Sequence, residues 1–269
     1  MKSSSNKKKG FGNSSRESCK EHPLEINYEL IKEQEALDLF KKGKSKEAEE
    51  IYLKLIKLGT KNHNIYGNLA ALNGMKGNKS EMYRLLIKAI EIEPNYAEAH
   101  NNLGNFFSDR SDYDQAIRFY NNSLKINPNY AEAYNNLGTA QKGKGSVKEA
   151  IVSFQNAIKL KKDYPEPYFN LAGIYKENKD FEIAKKLYLE SIKIKPSFQE
   201  AYNNIALIYH EQGDYKQAID FYNLALEINN KNSNCLMNLS LSLKEIRDFE
   251  LALIMCKKAV IIDKANPEI

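Results

Sequence analysis

The chain has 269 residues, of which 42% are apolar and 28% charged, with three cysteines and no tryptophan. It has no run of about 18 apolar residues to span a bilayer, no apolar stretch behind the lysines of Met1 to Cys19 to make a secretory signal, and too few cysteines for a disulfide framework. Residues 1–28 carry +3 of the +5 net charge, so the remainder is nearly balanced and gives no electrostatic footprint for nucleic acid.

The first element is the tail. Residues 1–28 are rich in Ser, Lys, Asn and Gly and hold too little apolar surface to offset the entropy of ordering, which predicts a disordered basic N-terminal tail. Its Lys7-Lys8-Lys9 cluster reads first as a solubilising arm and second as a contact for an acidic surface.

From residue 29 the chain repeats itself. Asn95-Tyr96-Ala97-Glu98-Ala99-His100-Asn101-Asn102-Leu103-Gly104 returns 34 residues later as Asn129-Tyr130-Ala131-Glu132-Ala133-Tyr134-Asn135-Asn136-Leu137-Gly138. The period gives seven units without insertion: 29–62, 63–96, 97–130, 131–164, 165–198, 199–232 and 233–266, with 267–269 as the C-terminal end. Each unit reads as two helices, A and B. In 97–130, helix A carries His100, Leu103, Gly104 and Phe107 on one face, at the i, i+3, i+4, i+7 spacing. The pattern breaks at Asp109-Arg110-Ser111. Asp112 and Gln115 then form a capping box that opens helix B, and Asn78/Glu81, Ser146/Glu149 and Asp214/Gln217 repeat it. Helix B turns Ala116, Tyr120, Ser123, Leu124 and Ile126 inward and stops before Pro128. Gly43, Gly77, Gly145 and Gly213 mark the turn between A and B in other units.

These units resemble the tetratricopeptide repeat family over about 240 residues. Unit position 4 is Tyr66, His100, Tyr134, Tyr168 and Tyr202; position 7 is Leu69, Leu103, Leu137, Leu171, Ile205 and Leu239. Position 8 is Ala or Gly except for Ser240, and position 20 is Ala except for Met82. The resemblance implies an all-α, right-handed superhelical solenoid of seven helix-turn-helix repeats, in which small residues at 8 and 20 let A and B approach. Lys32 and Glu35 in unit 1, and Leu236 and Cys256 in unit 7, depart from the pattern, as terminal repeats with one neighbour do.

No nucleotide-binding, metalloprotease or nucleophile-elbow motif occurs, so neither catalysis nor a cofactor is expected. His22 falls in the tail, His63 begins a helix, His100 fills a core aromatic position, and His210 can face the groove without a second ligand at metal spacing. Cys19, Cys235 and Cys256 lack C-x-x-C spacing, so no metal site is expected; the cysteine usage fits a reducing compartment, the cytoplasm. Cys256 reads as core filler.

In the resembling family helix A lines the concave face, with positions 2, 5, 6, 9, 12 and 13 turned to it. Position 6 is asparagine in six successive units: Asn68, Asn102, Asn136, Asn170, Asn204 and Asn238, with Gln34 in unit 1. An asparagine amide offers one acceptor and two donors, so a row of them can hold the backbone of an extended peptide. The row, with Asn101, Asn135 and Asn203 beside it, is similar to the asparagine ladder in the repeat superhelix of O-GlcNAc transferases. Local packing of these amides is the plainer reading. The family's carboxylate clamp is not expected, because position 6 is never basic and position 2 is Glu98, Glu132, Glu166 and Glu200. Those glutamates suit the first helical turn and oppose a nucleic-acid backbone.

The expected function is a protein-interaction scaffold that binds an extended segment in its groove. The alternative is the substrate-recruiting module of a glycosyltransferase, sulfotransferase or methyltransferase whose catalytic part lies elsewhere, an arrangement found in bacterial proteins of the family. Finally, Leu251, Ile254 and Ile261 occupy positions 19, 22 and 29, which are mostly charged in earlier units. They predict a covered C-terminal end, whether by a second copy, a partner or a continuation of the chain.

Overall fold

The computed structural model describes residues 23–265, with side chains from 28 to 263. Fourteen helices form seven antiparallel pairs among them. The pairs are α1 (Pro23–Lys41) with α2 (Ser45–Lys57), α3 (His63–Met75) with α4 (Lys79–Ile92), α5 (Ala97–Ser108) with α6 (Tyr113–Ile126), and α7 (Ala131–Lys144) with α8 (Val147–Leu160). Then follow α9 (Pro165–Glu177) with α10 (Phe181–Ile194), α11 (Gln199–Glu211) with α12 (Tyr215–Ile228), and α13 (Ser233–Glu245) with α14 (Phe249–Ala265). Each helix packs on its neighbours in the chain. In addition α5 touches α7, α7 touches α9 and α11 touches α13, so the odd-numbered helices converge on one face. The result is a right-handed all-α superhelix with that face inside.

The close approach of A and B rests on small residues. Ala36, Ala70, Ala172 and Ala206 are fully buried against Ala48, Ala184, Ala218 and their surroundings, and Tyr52, Tyr120, Phe154, Tyr188 and Tyr222 fill the space beside them. Where helix A carries glycine at position 8 the fit is tightest: a Cβ on Gly104 would lie 2.4 Å from the Tyr120 ring, and one on Gly138 2.7 Å from the Phe154 ring. The Met82 exception has its own compensation, since the thioether fills the place where a Cβ on Gly74 would sit, 2.8 Å from Sδ.

The turn from A to B is the same at every pair. Gly43, Gly77, Ser111, Gly145, Lys179, Gly213 and Arg247 all have φ between +58° and +88° and stand 34 residues apart. The next residue donates its backbone N–H to the carbonyl five residues back, as in Asn78 to Asn73 (2.9 Å), Ser146 to Gln141 (2.8 Å) and Asp248 to Leu243 (3.0 Å). This closes helix A as a Schellman motif. It also changes the expected capping boxes. Asn78, Asp112 and Asp214 do accept from the backbone N–H three residues on, but their own N–H is already spent on helix A. Ser146 makes no side-chain cap at all.

Both ends differ from the inner pairs. α1 begins at Pro23, inside the 28-residue tail read from composition. Proline suits a first helical turn, and Leu24, Tyr28 and Ile31 follow at the i, i+4, i+7 spacing of a helix. Residues 1–22 of that tail, and 267–269, lie outside the described residues. Without aliphatic residues at positions 4 and 7, α1 is tied down by polar bonds: Thr60 donates to Glu29, and Asn62 Nδ2 to Glu33 (2.7 Å). Along the helix Lys32 pairs with Glu35 (2.6 Å) and Gln34 donates to Asp38 (2.9 Å), while Tyr28, Leu30 and Ile31 are exposed. α14 likewise exposes apolar residues. In α12, Ile219 and Leu226 pack against a core that continues into α13 and α14, whereas their equivalents Leu253 and Val260 are exposed, as is Phe249.

Candidate functional site

Helices α3, α5, α7, α9, α11 and α13 each present one position-6 asparagine, and all six are half-buried. The amides are linked across pairs. Asn136 Nδ2 donates to Asn101 Oδ1 (3.1 Å), and Asn170 Nδ2 donates to Asn135 Oδ1 (2.9 Å). Each bond uses one of the two amide hydrogens, leaving one N–H and the carbonyl of Asn136 and Asn170.

This corrects the reading of the position-5 asparagines as groove-facing. Asn101 and Asn135 are 4% and 7% exposed, and they act as acceptors that hold the row in orientation. The pairing has a positional rule: position 6 reaches position 5 of the preceding unit. It lapses where position 5 is Gly67 or Phe169. It also lapses at Asn203, whose Oδ1 is buried without a partner although Asn238 stands at the matching place.

Two clefts open along this face. The first, of about 330 Å³, lies between α3 and α5; Ala71, Gly74 and Met75 shape it, with Phe106, Asn102 and Asn105 opposite. The second, of about 290 Å³, lies across α7, α9 and α11. Phe154, Phe169 and Tyr188 form its apolar part, and Asn170, Asn204 and Lys176 its polar part. At its rim Lys142 Nζ pairs with Glu177 (2.7 Å). Lys176 Nζ instead donates to the amide oxygen of Asn204 (3.0 Å). Burial pushes the Lys176 ammonium below its ordinary value; Glu211 and Glu177 oppose that shift and Lys142 adds to it.

A hydrogen bond from Lys161 Nζ (2.8 Å) holds the Glu132 carboxyl below the usual carboxylate range. His210 bridges to the next inner helix: Nδ1 lies 2.9 Å from Ser242 Oγ, and the ring meets Tyr215 edge-on. His100 fills its core slot with Nε2 3.1 Å from the Pro94 carbonyl. His63 packs edge-on against Tyr96. Cys235 is fully buried and Cys256 half-buried, both as free thiols. Leu251, Ile254 and Ile261 are 39%, 42% and 67% exposed on α14. No helix among the described residues is long and apolar enough to cross a membrane.

Comparison with known proteins agrees with this architecture. Models described as tetratricopeptide repeat match residues 97–130 and 200–232, 119–152 and 165–198, and one described as TPR repeat matches 143–179. No curated protein matches the sequence. Among solved structures, MamA protein is 28% identical, with 64% of this chain and 94% of that one covered and a TM-score of 0.54. PilF of Pseudomonas aeruginosa is 20% identical, with 77% and 93% covered and a TM-score of 0.68. YrrB, described as a TPR protein with an unusual peptide-binding site, is 21% identical, with 68% and 93% covered and a TM-score of 0.53. The 34-residue period, the paired helices and the matched models together place this chain in the tetratricopeptide repeat family.

Proposed function

We propose that this chain is a non-catalytic scaffold, working in the reducing cytoplasm, that holds an extended segment of a partner protein along its inner face. The observation that carries the reading is the row of six half-buried asparagines on successive inner helices. Asn136 and Asn170 are held in orientation by Asn101 and Asn135, yet each keeps one N–H and one carbonyl. A peptide backbone offers the matching C=O and N–H at each residue. Two clefts lined in part by Asn102, and by Asn170 with Asn204, have room for side chains, and a peptide site is described for YrrB on the same fold.

The test replaces Asn102, Asn136, Asn170 and Asn204 with Ala together and measures partner capture by mass spectrometry, with circular dichroism as the folding check. Capture falls strongly while helicity stays. A second variant, Asn101→Ala with Asn135→Ala, removes the same cross-unit bonds but keeps the amides of the row, and loses less capture than the quadruple variant. Equal capture by the quadruple variant and the wild type refutes the reading.

A further inference from the structure

The second cleft contains a cation placed unlike its neighbours. Lysine recurs at position 12 of three inner helices: Lys142, Lys176 and Lys244. Lys142 reaches forward to Glu177 and is neutralised there. Lys244 is exposed beyond the cleft. Lys176 is half-buried, lines the cleft, and makes no ion pair among the described residues. Its one hydrogen-bond acceptor is the neutral amide oxygen of Asn204, itself a member of the asparagine row. Glu177, the adjacent carboxylate, is committed to Lys142, and Glu211 does not come within ion-pair distance of Lys176.

An ammonium has three donors, so Lys176 retains two after bonding Asn204. A partly desolvated ammonium is destabilised, as the lowered pKa of Lys176 states, and an arriving anion relieves that cost. The apolar walls Phe154, Phe169 and Tyr188 suit the methylene stem of an acidic side chain, and the Asn170 amide stands beside the same space.

We propose that the cleft across α7, α9 and α11 is a subsite for the side-chain carboxylate of an Asp or Glu in the bound segment, with Lys176 as its ionic anchor. The proposal rests on the groove reading above. A dianionic phosphate suits the place poorly, because Glu177 and Glu211 stand near a single uncommitted cation. A chain-terminal carboxylate is answered in this family by several cations together, and Lys176 stands alone.

The experiment uses three acetylated heptapeptides of alternating Ser and Ala. One has a central Glu and an amidated end. One has Gln there and an amidated end. One has Gln and a free terminal carboxylate. Binding to the full chain is followed by NMR through the Lys176 Cε resonance and the side-chain amides of Asn136, Asn170 and Asn204. The Glu peptide binds about fivefold tighter than the Gln peptide and moves Lys176 Cε. Lys176→Met keeps the stem and abolishes the difference, while Gln-peptide shifts at Asn136 persist. Lys159→Met, which removes one exposed charge from α8, keeps the difference. Equal binding of the Glu and Gln peptides, with shifts along the row, overturns the subsite and leaves the groove standing. Survival of the difference in Lys176→Met also overturns it, and tighter binding of the free-carboxylate peptide overturns the choice of a side chain. Absence of any shift along the row overturns the groove reading and the subsite with it.

Discussion

The left-handed turn between A and B lends itself to a two-way test. Seven residues share positive φ, four of them glycine and three of them Ser111, Lys179 and Arg247. A side chain in this region costs roughly 1–2 kcal/mol through its Cβ, and glycine gives back part of that in unfolded-chain entropy, about 0.4–1 kcal/mol. Each of Ser111→Gly, Lys179→Gly and Arg247→Gly is therefore expected to stabilise by about 0.5–1 kcal/mol. All three side chains are exposed and hold no hydrogen bond or ion pair to lose among the described residues. The reverse change is equally clean. A Cβ built on Gly77, Gly145 or Gly213 meets nothing within 4 Å, so Gly145→Ala carries a backbone cost alone and destabilises by about the same amount. Urea unfolding by circular dichroism at constant m-value measures both signs. Lys179→Gly and Gly145→Ala sit one unit apart, so neighbour coupling is similar for the two. If both leave the midpoint unchanged, or if Lys179→Gly destabilises, the periodic turn stores no strain and the argument fails.

Other consequences are as direct. Ala150 is fully buried beside Phe154 and Leu171, so Ala150→Leu overpacks the contact by ~1–3 kcal/mol; denaturation broadens or splits, and a single unshifted transition contradicts it. Burial raises Tyr52 and Tyr96 from 10.0 to about 12. Because the folded state holds these protons longer, their stabilisation is intact below pH 10 and is lost as pH rises toward 12; midpoints measured at pH 9 and 11 check this. Burial likewise pushes the Cys235 thiol up to about 12, so iodoacetamide at pH 8 labels Cys256 in the folded chain and Cys235 only on unfolding; equal labelling refutes the placement. We also propose that exposed Leu251, Ile254 and Ile261 form an end interface. Ile254→Glu with Ile261→Glu reduces association seen by light scattering, and unchanged scattering removes the proposal.

Much of this architecture is legible before any coordinates, because each 34-residue unit must solve the same packing problem and writes its solution in the same places. Glycine announces the turn in four units. Ser111, Lys179 and Arg247 are invisible as turn residues, since nothing in their chemistry favours positive φ and only the period points to them. The asparagine row is legible by position, but its links are not. Asn101 and Asn136 are 35 residues apart, and only packing decides that one is buried and the other half-open. Lys176 is the hardest case. Nothing in the sequence distinguishes it from Lys142 at the same position one unit earlier, yet Lys142 takes Glu177 and Lys176 has no ion pair among the described residues. The early start of α1 is hidden because the composition of residues 1–28, averaged over the stretch, masks the short apolar spacing after Pro23.

The Asn101–Asn136 and Asn135–Asn170 bonds give the superhelix an uneven stiffness. They lie on the inner face, where flattening the curvature separates successive helices, and each resists that motion by about 0.5–1.5 kcal/mol. The joints from α5 to α7 and from α7 to α9 carry such a strut. The joint from α3 to α5 does not, because Gly67 has no acceptor to offer, and neither does the joint from α9 to α11, where Phe169 holds the place. The joint from α11 to α13 leaves Asn203 Oδ1 unbonded. The joint from α9 to α11 is spanned instead by Lys176–Asn204 and that from α11 to α13 by His210–Ser242, so bending is concentrated at the joint from α3 to α5, which no side-chain hydrogen bond spans among the described residues.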